Sequence, residues 1–187
     1  MLLKKPLLLV AIAGSLATPV AMADTPAKFG FTAGVGLSAG GDELAKVVFT
    51  DGSSQSIKAG QGVDFFVGGH FKPANSQFDI NGTAGIKYES TAASNANINL
   101  SRKVFELRAD YLVNDAVWIG AGPVWHKGIE LDTDGFGPNL RYQDAQGITV
   151  KLGWKFVALS YTDLEYKDEY GYKYDASNIG ISLIGKF

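Results

Sequence analysis

The sequence predicts an all-β chain that closes as one antiparallel, up-and-down transmembrane β-barrel, with eight strands the expected number. Three observations predict it. From Phe29 to the last residue, apolar side chains recur at every second position in segments of about ten residues. Successive side chains of a strand point to opposite faces, so each segment has one apolar and one polar face, as a strand between lipid and a polar lumen requires. The connections between segments alternate long and short. The last segment then carries Ile179, Ile181, Leu183 and Phe187 on one parity and Gly180, Ser182 and Lys186 on the other, with Ile184 the exception, and stops on the aromatic.

The first strand, 29–39, sets Phe29, Phe31, Ala33, Val35 and Leu37 against Gly30, Thr32, Gly34, Gly36 and Ser38. Residues 40–60 form an outward excursion with a hairpin signal at Asp51-Gly52. The second strand, 62–71, turns Val63, Phe65, Val67, Gly69 and Phe71 outward and Asp64, Phe66, Gly68 and His70 inward. A compact turn at 72–76 leads to the third, 77–89, with Phe78, Ile80, Ala84, Ile86 and Tyr88 out and Asp79, Asn81, Thr83, Lys87 and Glu89 in. A polar loop is expected over 90–101. The fourth, 102–113, alternates Phe105, Leu107, Ala109, Tyr111 and Val113 with Glu106, Arg108 and Asp110. After a turn at 114–115, the fifth, 116–127, carries a Trp on both parities. Trp118, Val124 and His126 are assigned inward, and Pro123, lacking an N–H for the ladder, predicts a bulge or the rim nearby.

A polar loop is expected over 128–143. The sixth strand turns Ile148, Val150, Leu152, Trp154 and Phe156 outward and Thr149, Lys151 and Lys155 inward. A short turn at 155–157 opens the seventh strand, with Val157, Leu159 and Tyr161 outward and its parity unassigned beyond. A loop over 167–175 precedes the terminal strand. Every second connection is therefore short, the asymmetry of a barrel with short turns at one end and long loops at the other. Phe29, Phe71, Phe78, Tyr111, Trp154, Phe156 and Phe187 fall toward the turn end, and Tyr88, Phe105, Trp125 and Tyr161 toward the loop end. Two aromatic bands are what two membrane interfaces select.

Composition agrees. Residues 1–23 read as a secretory signal peptide: Lys4 and Lys5, an apolar run over 6–13, then Ala21-Met22-Ala23 before the expected cut at Asp24. Gly14, Ser15, Thr18 and Pro19 interrupt that run too early for a spanning helix of roughly 20 apolar residues. Residues 24–187 form one barrel domain. Without Lys4 and Lys5 the domain keeps 15 basic against 19 acidic residues, so no nucleic-acid partner is expected. There is no Cys, and a closed ladder needs none. Many of the 23 Gly sit within alternating runs, where an inward Gly leaves room for a large neighbour.

With its apolar stripe ending in Phe187, the chain resembles the small eight-stranded bacterial outer-membrane barrels of the OmpA, OmpX and OmpW type. The resemblance implies a non-catalytic protein of the cell outer membrane. Its loops would meet the surroundings, or the barrel would simply stabilise the envelope. A narrow channel for small or apolar solutes is the alternative, and a lipid A-modifying enzyme a more distant one. The implied partners are outer-membrane lipid and lipopolysaccharide, with the assembly machinery engaging the strand that ends in Phe187; a monomer is expected.

No catalytic, cofactor or metal site is expected. His126, with Glu130 and Asp132 near in sequence, invites an enzyme reading, but barrel deacylases resembling this architecture use a His-x-Ser pair. Here Lys127-Gly128 follows His126, and Phe71-Lys72 follows His70. Asp132-Thr133-Asp134-Gly135 opens like a calcium loop but has Gln143 where a bidentate Glu belongs. The Gly-rich run over 34–40 opens no helix, so no phosphate cradle is read there. The charged inward residues Asp79, Lys87, Glu89, Glu106, Arg108, Asp110 and Lys151 are expected to pair in a filled lumen, with Lys87, Glu89 and Lys151 completing the Glu106–Arg108–Asp110 column. The tyrosines at 166, 170, 172 and 174 are either a contact surface or interfacial anchors.

Overall fold

The computed structural model describes residues 25–48, 52–93, 96–135 and 137–187. The expected signal peptide and its cleavage point at residues 23–24 lie outside them. The strands, in chain order, are β1 (Lys28–Ala39), β2 (Glu43–Val48), β3 (Ser54–Lys58), β4 (Gly62–Lys72), β5 (Phe78–Ala93), β6 (Ala96–Leu112), β7 (Val117–Asp132), β8 (Leu140–Tyr142), β9 (Ala145–Trp154), β10 (Val157–Asp163), β11 (Glu165–Lys167), β12 (Lys173–Asp175) and β13 (Asn178–Lys186). Eight of them, β1, β4, β5, β6, β7, β9, β10 and β13, pair antiparallel each with the next, and β13 returns to β1 to close the barrel. The fold is the expected one.

The ladder fixes its dimensions. Pairs followed once round run Ala39, Ile179, Tyr161, Val150, Ala121, Ala109, Ile80, Phe71 and Phe29. The path re-enters β1 ten residues below its start, at Phe29 instead of Ala39. A stagger of ten over eight strands tilts them by about 40° and gives a backbone radius of about 8 Å, space that side chains can fill. The last ladder bonds join Phe31 and Phe187, each N–H donating to the other's carbonyl at 2.9 Å.

The outer surface is apolar over the middle of every barrel strand. Val35, Phe65, Val67, Ile86, Leu107, Val150, Leu152, Leu159, Ile181 and Leu183 are all exposed. At the turn end Phe29 stacks on Phe71 with centroids 4.4 Å apart, and Phe78 meets Tyr111 edge-on at 5.4 Å. In a soluble chain such a belt would be an aggregation surface.

Two expected loops are strands. Residues 90–93 and 96–101 continue β5 and β6, which pair up to Ala93 and Ala96, and 128–132 and 140–142 belong to β7 and β8. The alternation persists there with its sign reversed. On β6, Ile98 and Leu100 are buried while Asn99 and Ser101 face out; below Lys103 the outward row becomes Phe105 and Leu107 and the inward row Glu106 and Arg108. A strand passing from lipid into water shows this change, because water outside favours polar residues out and apolar ones in. The same inversion follows Trp125 on β7 and Tyr161 on β10.

The strands whose parity the sequence left ambiguous are fixed by burial. Trp118, Val124 and His126 of β7 face in, as assigned. From β10 onward Ala158, Thr162, Leu164, Tyr166 and Asp168 are all buried, so even residues stay inward past the end of the strand. The bulge expected at Pro123 is elsewhere: Pro123 pairs with Ile148 in continuous register, and the shift falls between Ser101 and Lys103 against Lys127 and Glu130. Gly128, at φ 57°, supplies the left-handed residue that the extra position requires. Asp51 of the hairpin signal is outside the described residues; β2 and β3 pair on either side of it.

Candidate functional site

The lumen is built in layers. At the turn end an ion-pair network surrounds Asp110, which is fully buried. Arg108 donates to Asp110 through Nη2 at 3.1 Å and through Nε, and to Glu106 through Nη1. Lys151 Nζ bridges Glu106 at 2.9 Å. Lys186 Nζ lies 2.8 Å from Asp79 and 3.1 Å from Asp110, and Asn81 Nδ2 donates to Asp110 at 2.8 Å. His70 Nδ1 meets Asp79 at 3.2 Å. Three cations thus face three carboxylates, as charges withdrawn from water require. Trp118 packs between the Arg108 and Lys186 cations, 5.0 and 5.4 Å from its ring. It fits because Gly153 faces it: a Cβ there would stand 1.9 Å from the indole.

Lys87 and Glu89 do not join this column. The register opposes Lys87 to Arg102 and Thr83 to Glu106, so Lys87 sits two inward positions above Glu106. Lys87 instead donates to Gly60 O at 2.9 Å, Arg102 to Gln61 O, and Gln61 Nε2 to Glu89 at 3.0 Å. These buried cations hold the segment returning from the β2–β3 hairpin inside the mouth. Between the two layers lies a cavity of about 60 Å³, lined by Asp64, Lys87, Glu106, His126, Thr149 and Lys151 among others.

Above them an apolar cap closes the loop end. Ile57, Ala59, Ile98, Leu100, Ile129, Leu131, Tyr142, Leu164, Tyr166 and Ala176 are buried together, drawn from β3, β6, β7, β8 and the β11–β12 hairpin. Sequence reading missed this cap because its residues were assigned to loops; the reversed alternation was the signal. The tyrosine cluster divides. Tyr166 is fully buried with its Oη 2.6 Å from His126 Nδ1, and Tyr174 packs on Tyr142 and donates to Asp168 at 3.3 Å, whereas Tyr170 and Tyr172 are exposed.

His126 is not joined by Glu130 or Asp132. Glu130 and Asp132 lie on the outer side of the strand, Glu130 paired with Arg141 at 3.3 Å and Asp132 accepting the Asp134 N–H at 3.0 Å. The 132–135 segment is a tight turn with Thr133 donating to Gly137 O at 2.6 Å. Among the described residues no group of three or more His, Asp or Glu side chains is placed to hold a metal.

No known protein-family profile matches the chain, and no curated protein matches it. Among solved structures it is similar to Ail, the attachment invasion locus protein of Yersinia pestis, crystallised in complex with the heparin analogue sucrose octasulfate. The two share 9% identity over 86% of this chain and 100% of that one, with a TM-score of 0.45.

Proposed function

We propose that this chain is an integral, non-catalytic protein of the bacterial outer membrane. It is exported by its N-terminal signal and acts through the capped end that projects beyond the lipid, as a contact surface or as a stabiliser of the envelope. The reversal of sign along β6, β7 and β10 carries the location, since lipid below and water above one boundary is the simplest solvent arrangement that makes one strand apolar-out and then apolar-in. The cap and the ion-pair layer support a filled barrel over a pore. In cell fractionation the protein should appear as a heat-modifiable band in the outer-membrane fraction; recovery from the soluble periplasm without detergent would refute the location.

The channel reading draws on the polar 60 Å³ cavity and on a recess of about 430 Å³ at the turn end, lined by Asp79, Trp118 and Lys186 among others. Conductance across a planar bilayer separates the two. Steady conductance by the wild-type protein would replace the filled-barrel reading with the channel.

A further inference from the structure

On the inner face below the cap, Asp64, Lys87 and Arg102 stand side by side on β4, β5 and β6 as direct register partners. Opposite charges facing each other across an antiparallel pair attract and like charges repel, so Lys87 is expected to turn to Asp64. It turns instead to Gly60 O at 2.9 Å. Arg102 uses Nη2 on Gln61 O and leaves Nε and Nη1 buried with no acceptor. Among the described residues no carboxylate comes within ion-pair distance of either cation, and Asp64 has no hydrogen-bond or ion-pair partner. Yet Asp64 and Glu89 are close enough to attract both cations. Two buried cations thus hold neutral carbonyls of one strap, 60–62, while carboxylates that would bind them more strongly stand beside them. Glycines occupy both roots of the β2–β3 hairpin that the strap secures, Gly40 and Gly41 at one and Gly62 at the other, where backbone torsions can absorb a hinge motion.

We propose that the strap over 60–62 is a releasable latch. The β2–β3 hairpin swings away from the mouth when Lys87 exchanges Gly60 O for Asp64 and Arg102 exchanges Gln61 O for Glu89. This rests on the reading of the capped end as the face that meets the surroundings, and deepens it by giving that end two forms. Release draws Ile57 and Ala59, both fully buried in the latched form, out of the cap. It also opens the polar cavity beside Asp64 and Lys87 to the water above. Each form satisfies both cations, one through carbonyls and one through carboxylates, which is what lets a single segment hold two arrangements.

The test is hydrogen exchange of the full-length folded protein in micelles, read by mass spectrometry over the strap. The amides of Ala59 and Gly60 donate to Asp42 O at 2.9 Å and to Gly40 O at 3.2 Å, so they report departure of the strap. In the wild type they should exchange ahead of the amides around Leu100 in the wall of the cap. Ser38 Oγ donates to Gly60 O at 3.0 Å and to Gly62 O at 3.3 Å, contacts of the latched form alone, so Ser38→Ala should speed strap exchange about fivefold. Asp64→Asn removes a partner of the released form alone and should slow strap exchange about tenfold. An Asp64 that merely steadied a fixed ammonium would have the opposite effect, and its loss would loosen the strap. Strap exchange in Asp64→Asn at or above the wild-type rate, or wild-type strap amides exchanging no sooner than those around Leu100, would overturn the latch. Heat-modifiable migration of each variant, scored separately, shows that the barrel has folded, and failure of the membrane reading would appear in cell fractionation instead.

Discussion

Asp110 has more at stake than any other charge in the lower lumen. It accepts from Arg108, Lys186 and Asn81, and all three donors are left short if it is removed. Arg108 is less exposed to that penalty, because Glu106 keeps Lys151 and Asp110 keeps Lys186 when the guanidinium goes. We therefore expect Asp110→Ala to destabilise the barrel by about 3–5 kcal/mol and Arg108→Ala to fall at or below the lower end of that range. On the outer face Leu107→Ala should cost less than either, since lipid fills the gap, whereas Leu107→Arg should cost roughly 2–4 kcal/mol near the midplane. Urea titration in lipid vesicles measures all four; an Arg108→Ala barrel less stable than Asp110→Ala would contradict the network as described. The column of Glu106, Arg108 and Asp110 was legible from two-residue spacing alone. Its partners were legible only in part. Lys151 was anticipated, but Lys87 was misplaced, because the height of a neighbour depends on the stagger between strands, which no local pattern encodes.

At the scale of elements, parity was readable wherever lipid wets the strand, and unreadable where the solvent changes. Ile98, Leu100, Ile129 and Leu131 look like scattered apolar residues in polar loops until the sign reversal is allowed for. The Gly128 bulge has no comparable signal in the sequence: the visible irregularity is Pro123, whose missing N–H the ladder tolerates without a shift. The cap these residues build should respond to alkali. Burial raises the Tyr142 phenol, with Tyr174 and Asp168 adding to the effect, and burial raises Tyr166 against the opposing pull of Arg102. The folded state thus holds these protons more tightly than the unfolded chain. The stabilisation is complete below the ordinary phenol value of about 10 and is lost as pH rises from there through the raised folded-state values. Tyrosinate absorbance should show at least these two phenols titrating late, and in a single step with loss of the cap's near-ultraviolet circular dichroism. Normal titration of all eight tyrosines with the cap intact would contradict their burial. The closing strand makes a separate prediction. Deleting Phe187 removes both ladder bonds to Phe31 and the terminal aromatic, and should lower outer-membrane levels; unchanged levels would argue against its role in assembly.

For the whole molecule, the question is what keeps an eight-stranded lumen from conducting. Two seals act in series: the ion-pair layer at the turn end and the apolar cap at the loop end, with a 60 Å³ cavity between them. Waters in such a cavity have polar partners, but an ion crossing it must pass both seals. The cap is the weaker, since it is apolar and assembled from two hairpins and the strand extensions, with Tyr166 held by His126 and Arg102. Replacing Tyr166 by Ala removes the largest fully buried side chain among the described residues and opens a gap beside Leu164 and Tyr142, which also loosens the hold on the β11–β12 hairpin. The ion-pair layer is untouched by that change. If the two seals are independent, Tyr166→Ala should leave single-channel records flat, because Trp118 and the Arg108 network still block the turn end. Tyr166→Ala combined with Trp118→Ala should give measurable conductance. Conductance from Tyr166→Ala alone would mean that the charged layer is wet and permeable, and the cap by itself would then be the gate.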